Sequence, residues 1–115
     1  MMPTTPDVPP VDRTACTMTD GSPVRPDHRD IDPSTGQQKG YVVLSEEERR
    51  RGFVRPVRRT YLHSSCGTTT TMGLALAETY ARDPGFYSET FCCACRAHRP
   101  LAEFVWDGTT ERVGS

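Results

Sequence analysis

Large apolar side chains are scarce up to Gly40 and fall into short patterned runs after it. Tyr41-Val-Val-Leu44 is a continuous apolar run of strand length. Ser45-Glu-Glu-Glu48 follows as a capping box, in which the Glu48 amide donates to the Ser45 hydroxyl and the Ser45 amide donates to the Glu48 carboxylate. The acids precede Arg49, Arg50 and Arg51, the order a helix dipole favours, and Gly52 stops the turn; a helix of about one to two turns is predicted. Phe53 to Leu62 reads as an extended segment, with Pro56 marking an edge or a bulge. Thr70 or Thr71 is the candidate cap for the longest helix, Met72 to Arg82. On its wheel Glu78 and Arg82 form one polar stripe and an i,i+4 pair, and Met72, Ala75, Leu76, Thr79 and Tyr80 form the opposite face. Asp83-Pro84-Gly85 ends it. Leu101 to Trp106 alternates, with Ala102, Phe104 and Trp106 on one side. Asp107-Gly108 then predicts a two-residue hairpin turn into a return strand, Thr109 to Val113.

Composition divides the chain at the same place. Residues 1–40 carry Pro3, Pro6, Pro9, Pro10, Pro23, Pro26 and Pro33 together with repeated Asp, and too few apolar side chains to offset the entropy of ordering. They read as an extended Pro/Asp-rich arm with no core of its own, and residues 41–115 as the folded body. A body this short buries a small core, a size at which metals or disulfides commonly add stability. The net charge of −1 gives no strong field for steering nucleic acid.

The body contains the pattern such a chain needs. His63-Ser-Ser-Cys66 and Cys92-Cys-Ala-Cys95 read His-x2-Cys, a long spacer, then Cys-x2-Cys. A two-residue gap lets both side chains of a pair reach one ion from a tight turn, and two such turns close a tetrahedral shell. His63, Cys66, Cys92 and Cys95 are therefore the candidate ligands of a structural Zn2+. Cys93 and His98 are rivals for the second pair, since Cys95-Arg-Ala-His98 has the same gap. Gly67 gives backbone amides room to approach a thiolate. The alternative is disulfides or buried free thiols, which has no use for His63. Cys16, alone in the arm, is a free thiol or the site of a disulfide to another chain. The N-terminus has no apolar run, so no signal peptide is expected, and in a cytosol the thiols are expected to stay reduced and free to bind metal. No stretch approaches the roughly 20 apolar residues of a membrane span.

Four protein ligands leave no open position for catalysis, and the deaminase pattern of His-x-Glu before Pro-Cys-x-x-Cys is absent. Arg49, Arg50, Arg51, Arg55, Arg58 and Arg59 form the densest charge and could contact phosphates, although Glu46, Glu47 and Glu48 beside them favour a solvated or internally paired run. Phe104 and Trp106 read as core before they read as a stacking platform for bases. The fold class predicted is small α+β: a zinc-ribbon-like, metal-stabilised domain with an inserted helix and an extended N-terminal arm.

The body also resembles short zinc-ribbon-like proteins of tailed bacteriophages and prophages. The resemblance rests on Gly40-Tyr-Val-Val-Leu44 with Ser45-Glu-Glu-Glu-Arg, His63-x2-Cys66-Gly67, Ala77-Glu-Thr-Tyr-Ala-Arg-Asp-Pro84, Phe86-Tyr87, Phe91-Cys92-x2-Cys95 and Glu103-Phe-Val-Trp-Asp-Gly108. It covers about residues 40–115 and not the arm. It implies a phage origin, a metal site at His63, Cys66, Cys92 and Cys95, and no particular enzymatic activity. With it, the chain is expected to be a non-enzymatic structural or interaction protein of a capsid or tail, with the virion as a location beyond the host cytoplasm. The arm is expected to reach partner proteins, and a nucleic-acid-binding regulatory role through Arg49–Arg59 is the alternative.

Overall fold

Three small antiparallel sheets and two helices make up the computed structural model, which describes residues 8–115. Pro3 and Pro6 of the arm lie outside the described residues. β1 (Cys16–Met18) pairs with β2 (Val42–Leu44). α1 (Glu46–Arg49) follows, and β3 (Thr60–His63) is the centre of a sheet ordered β4-β3-β7, with β4 at Thr69–Thr71 and β7 at Phe104–Trp106. α2 (Leu74–Arg82) leads to the hairpin of β5 (Glu89–Cys92) and β6 (Ala97–Pro100). The molecule is thus a small mixed α/β fold with few helices.

Aromatic rings fill the space between α2 and the central sheet. Tyr61 meets Phe104 and Trp106 edge-on, with ring centroids 5.4 and 6.4 Å apart, and Tyr80 of α2 meets Trp106 at 5.7 Å. Phe104 and Trp106 are buried, and the Arg58 guanidinium caps the indole from 4.8 Å. Their alternation on β7 is as predicted, but Ala102 falls outside it. Leu101–Glu103 is a 3-10 turn that begins at Pro100, and Ala102 is exposed.

The helices depart from prediction in instructive ways. Thr69–Thr71 does not cap α2: it pairs with β3 as β4, where β-branched side chains fit, and Gly73 stands at the N-cap with no side-chain bond. Glu78 and Arg82 do not pair with each other. Glu78 binds Arg49 (2.9 Å), and Arg82 is buried against Glu48 (2.9 Å), so each leaves its own helix for α1. The capping box is half formed. The Glu48 amide donates to the Ser45 hydroxyl (3.2 Å), while the Glu48 carboxylate accepts from Arg82 and from the Asp12 amide, and the Ser45 amide donates to Ala15. The predicted two-residue turn at Asp107-Gly108 is wider. The Trp106 amide donates to the Glu111 carbonyl, and the return beside β7 is a single bridge, Val105 to Arg112. The predicted extended segment before the first ligand is a strand only over Thr60–His63, because Pro56 and the residues around it run without ladder bonds.

Residues 8–40 of the arm are laid on the body instead of standing apart. Besides the β1–β2 pairing, Arg13 grips Asp83 with two bonds (2.6 and 3.0 Å), the Pro10 carbonyl accepts from Arg82, and Met18 is buried. Its aspartates have local work: Asp12, Asp20 and Asp32 each accept the amide and hydroxyl of Thr14, Ser22 or Ser34 two residues on, closing small turns. Those hydroxyl and amide bonds hold the three carboxyls below the ordinary range. The Asp-x-Ser/Thr spacing was legible, and it is what gives a proline-rich stretch a defined path. Cys16 is a free thiol that donates to the Arg13 carbonyl.

Candidate metal centre

Two hairpin turns of one design carry the four predicted ligands. His63 is the last residue of β3; the chain turns through Cys66, and the Gly67 amide donates back to the His63 carbonyl at 2.8 Å. Cys92 is the last residue of β5; the chain turns through Cys95, and the Arg96 amide donates back to the Cys92 carbonyl at 2.8 Å. The residue after the second ligand is left-handed in both, Gly67 at φ +72° and Arg96 at φ +54°. Glycine adopts that conformation freely, whereas Arg96 is the one non-glycine among the described residues that adopts it. The arm braces this strained corner. The Arg96 guanidinium donates to the Ser34 carbonyl, and Gly36 lies so close that a side-chain carbon there would sit 2.1 Å from the Arg96 carbonyl oxygen.

The turns bring their side chains face to face. One ligand atom from each of His63, Cys66, Cys92 and Cys95 lies within 4.8 Å of the others, and none of the cysteines is in a disulfide. His63 Nδ1 is 3.2 Å from Cys66 Sγ and 3.5 Å from Cys95 Sγ, and Cys66 Sγ is 3.6 Å from Cys92 Sγ. A regular tetrahedron with metal–sulfur and metal–nitrogen bonds of about 2.3 and 2.05 Å has edges of roughly 3.6–3.8 Å. The cluster has the dimensions to hold a metal ion. Cys93 and His98 turn elsewhere. The Cys93 thiol lies against the Thr69 carbonyl, and His98 Nε2 bonds the Tyr41 hydroxyl at 2.8 Å.

Sequence reasoning missed Glu103. Its carboxylate stands 2.7 Å from His63 Nε2, and its carbonyl accepts from the Ser64 amide. A proton on Nε2 shared with a carboxylate leaves Nδ1 as the lone-pair donor facing the three sulfurs. Phe104 stacks on the imidazole with centroids 4.6 Å apart, which fixes the ring plane. No spacing rule joins Glu103 to His63; only the β3–β7 register, His63 opposite Phe104, brings the 3-10 turn there. Glu103 is also what chiefly raises the pKa of His63. The Thr68 amide does most to hold the Cys66 thiol down to about 6, and the neighbouring Cys92 sulfur pushes the Cys95 thiol up. His63 and Cys92 are buried while Cys66 is exposed, so the centre sits at the edge of the core.

The arginine run is largely committed. Arg49, Arg50, Arg51 and Arg58 pair with Glu78, Glu46, Glu48 and Glu111, and the guanidiniums of Arg55 and Arg59 donate to the carbonyls of Ser115 and Met72. Among the described residues no helix is long and apolar enough to cross a membrane. No protein-family model, no curated protein and no solved structure matches the chain.

Proposed function

We propose that this chain is a non-enzymatic interaction protein whose body is locked by one structural zinc ion, a zinc-ribbon-like domain that serves as a component of a larger phage assembly at the capsid or tail. The observation that carries the zinc reading is the meeting of four protein donors, His63, Cys66, Cys92 and Cys95, within 4.8 Å of one another. Three soft thiolates and one imidazole in a tetrahedral array suit zinc, and a four-ligand shell leaves no position where water or substrate could be activated. Glu103, the nearest carboxylate, is engaged by His63 and is not poised as a free base. The phage setting rests on the resemblance of the body to short phage zinc-ribbon-like proteins.

In this reading the ion stiffens the body, and partner contact falls on the outer part of the arm, where Val24 and Ile31 are exposed. Ordered binding there is mechanism enough; no turnover is involved. The nucleic-acid alternative loses support from the pairing of its arginines with carboxylates.

Elemental analysis of the purified chain tests the metal: one zinc per chain, removed by a chelator together with the fold, is expected. A metal-free chain with an intact fold would sink the proposal. Mass spectrometry of purified phage particles tests the setting, and absence of the chain from assembled particles would refute it.

A further inference from the structure

A half-open cavity of about 270 Å3 lies between α2, the β3–β4 hairpin, β5 and the arm. At about 30 Å3 per water, that is room for about nine waters or one small organic molecule. Its walls are aromatic: Tyr41, Tyr61, Tyr80, Tyr87 and Phe91 all border it. Three of the four tyrosine hydroxyls are spent elsewhere, Tyr61 on the Phe91 carbonyl (2.5 Å), Tyr87 on the Val42 carbonyl (2.6 Å) and Tyr41 on His98 (2.8 Å). The Thr90 hydroxyl is likewise given to Tyr61. The cavity therefore offers rings whose hydroxyls are largely engaged, with Thr19, Gln37, Met72 and Leu76 beside them. Among the described residues Glu89, at the start of β5, is the one charged side chain on its lining, and no arginine or lysine reaches it.

That combination selects by charge. An anion would meet the Glu89 carboxylate with no cation to offset it. An alkylated cation meets aromatic rings and one carboxylate, the groups from which an aromatic cage is built. We propose that this cavity binds a quaternary or methylated ammonium head, carried by a free solute or by a methylated lysine, with its alkyl groups against the half-buried Tyr41 and Tyr87 rings and its charge facing Glu89. The site is separate from the metal ligands and serves recognition.

The test is an NMR titration of the metal-loaded full chain with tetramethylammonium chloride, choline chloride and a trimethyl-lysine peptide, against sodium chloride at equal ionic strength. Saturable shifts of cavity residues in the millimolar range are expected, weakened about tenfold in Glu89→Gln and about tenfold for the uncharged tert-butyl isostere of choline. Tighter binding of choline than of the peptide points to a free solute, and the reverse to a methylated tail; either supports the cage. Glu89 is exposed, so the variant keeps its fold, which far-UV circular dichroism checks. Shifts no larger than those from sodium chloride, equal binding of the isostere, or a Glu89→Gln chain that binds as tightly as the parent each overturn the proposal.

Discussion

The two hairpin tips and the junction of α1, α2 and the arm do the same job by different physics. Both tie together stretches of chain far apart in sequence. At the tips, four ligand side chains converge from two self-contained turns, each held by its own backbone bond from Gly67 or Arg96. At the junction, one buried carboxylate, Glu48, accepts from Arg82 on α2, from the Asp12 amide in the arm and from Arg51. The tips are assembled from local motifs that need only be brought together. The junction has no local form at all, since each of its members looks like an ordinary helix-surface or loop residue until the elements pack. A ligand pair is thus readable from spacing, and a buried charge network is not.

Removing the proposed zinc should separate the two regions most sharply. Zinc binding to such sites contributes on the order of 10 kcal/mol or more to folding at neutral pH, so chelation, or Cys92→Ala, is expected to unfold the body, read as loss of near-UV circular dichroism and of amide protection. A chain that keeps its tertiary signal without metal would make the junction the dominant tie.

Arg82→Ala strikes the other region. It leaves Glu48 buried without its main partner and should cost about 3 kcal/mol in urea unfolding of the metal-loaded chain, with one zinc per chain retained. Loss of zinc together with stability would show that the regions are not independent.

Glu103→Gln sharpens the comparison from the metal side. It keeps a hydrogen-bonding partner for His63 but removes the negative charge, and zinc affinity in a competition titration should fall by about tenfold or more while the apolar core stays intact. Unchanged affinity would mean that Glu103 plays no part in orienting the ligand.

The junction also has a pH signature. Burial alone would raise the Glu48 pKa, but the Asp12 amide, Arg82 and Arg51 outweigh it and hold the carboxyl below its ordinary value of 4.5. A carboxyl depressed in the folded state stabilises fully above its unfolded value and loses that contribution as pH falls through the lower folded value. Exchange protection of the β1–β2 amides should therefore fade as the pH drops below about 4. Glu48→Gln should flatten that limb, and a limb that survives would assign it to another group.

Arg13→Ala should have the smallest effect. Its pair with Asp83 is largely solvent-facing on the arginine side, so only a small loss is expected, read as slightly faster exchange in β1 with the candidate metal centre unaltered.

The legibility of this chain follows the same division. His63, Cys66, Cys92 and Cys95 were visible because ligand geometry is written in short gaps. α1 and most of α2 were visible because capping and apolar period act within a few residues. β4 was missed because four threonines serve equally as a cap or as a strand, and only pairing with Thr60–Leu62 decides between them. The arm's path was not legible because Asp-x-Ser/Thr turns set direction only locally, and the contacts of Arg13 with Asp83 and of Pro10 with Arg82 exist only once the elements pack.

By itself, the sequence determined the local pieces: which residues can turn, which can cap, and which four side chains have the chemistry of a metal shell. Only the tertiary structure decided where charges go. Arg82 belongs to Glu48 and not to Glu78, Glu103 belongs to His63, and residues 8–39 lie against the body. The physical reason is range. Backbone conformation and ligand gaps are set within about five residues, whereas a buried ion pair or a second carboxylate behind a histidine exists only once packing has excluded water between groups that the chain itself keeps far apart.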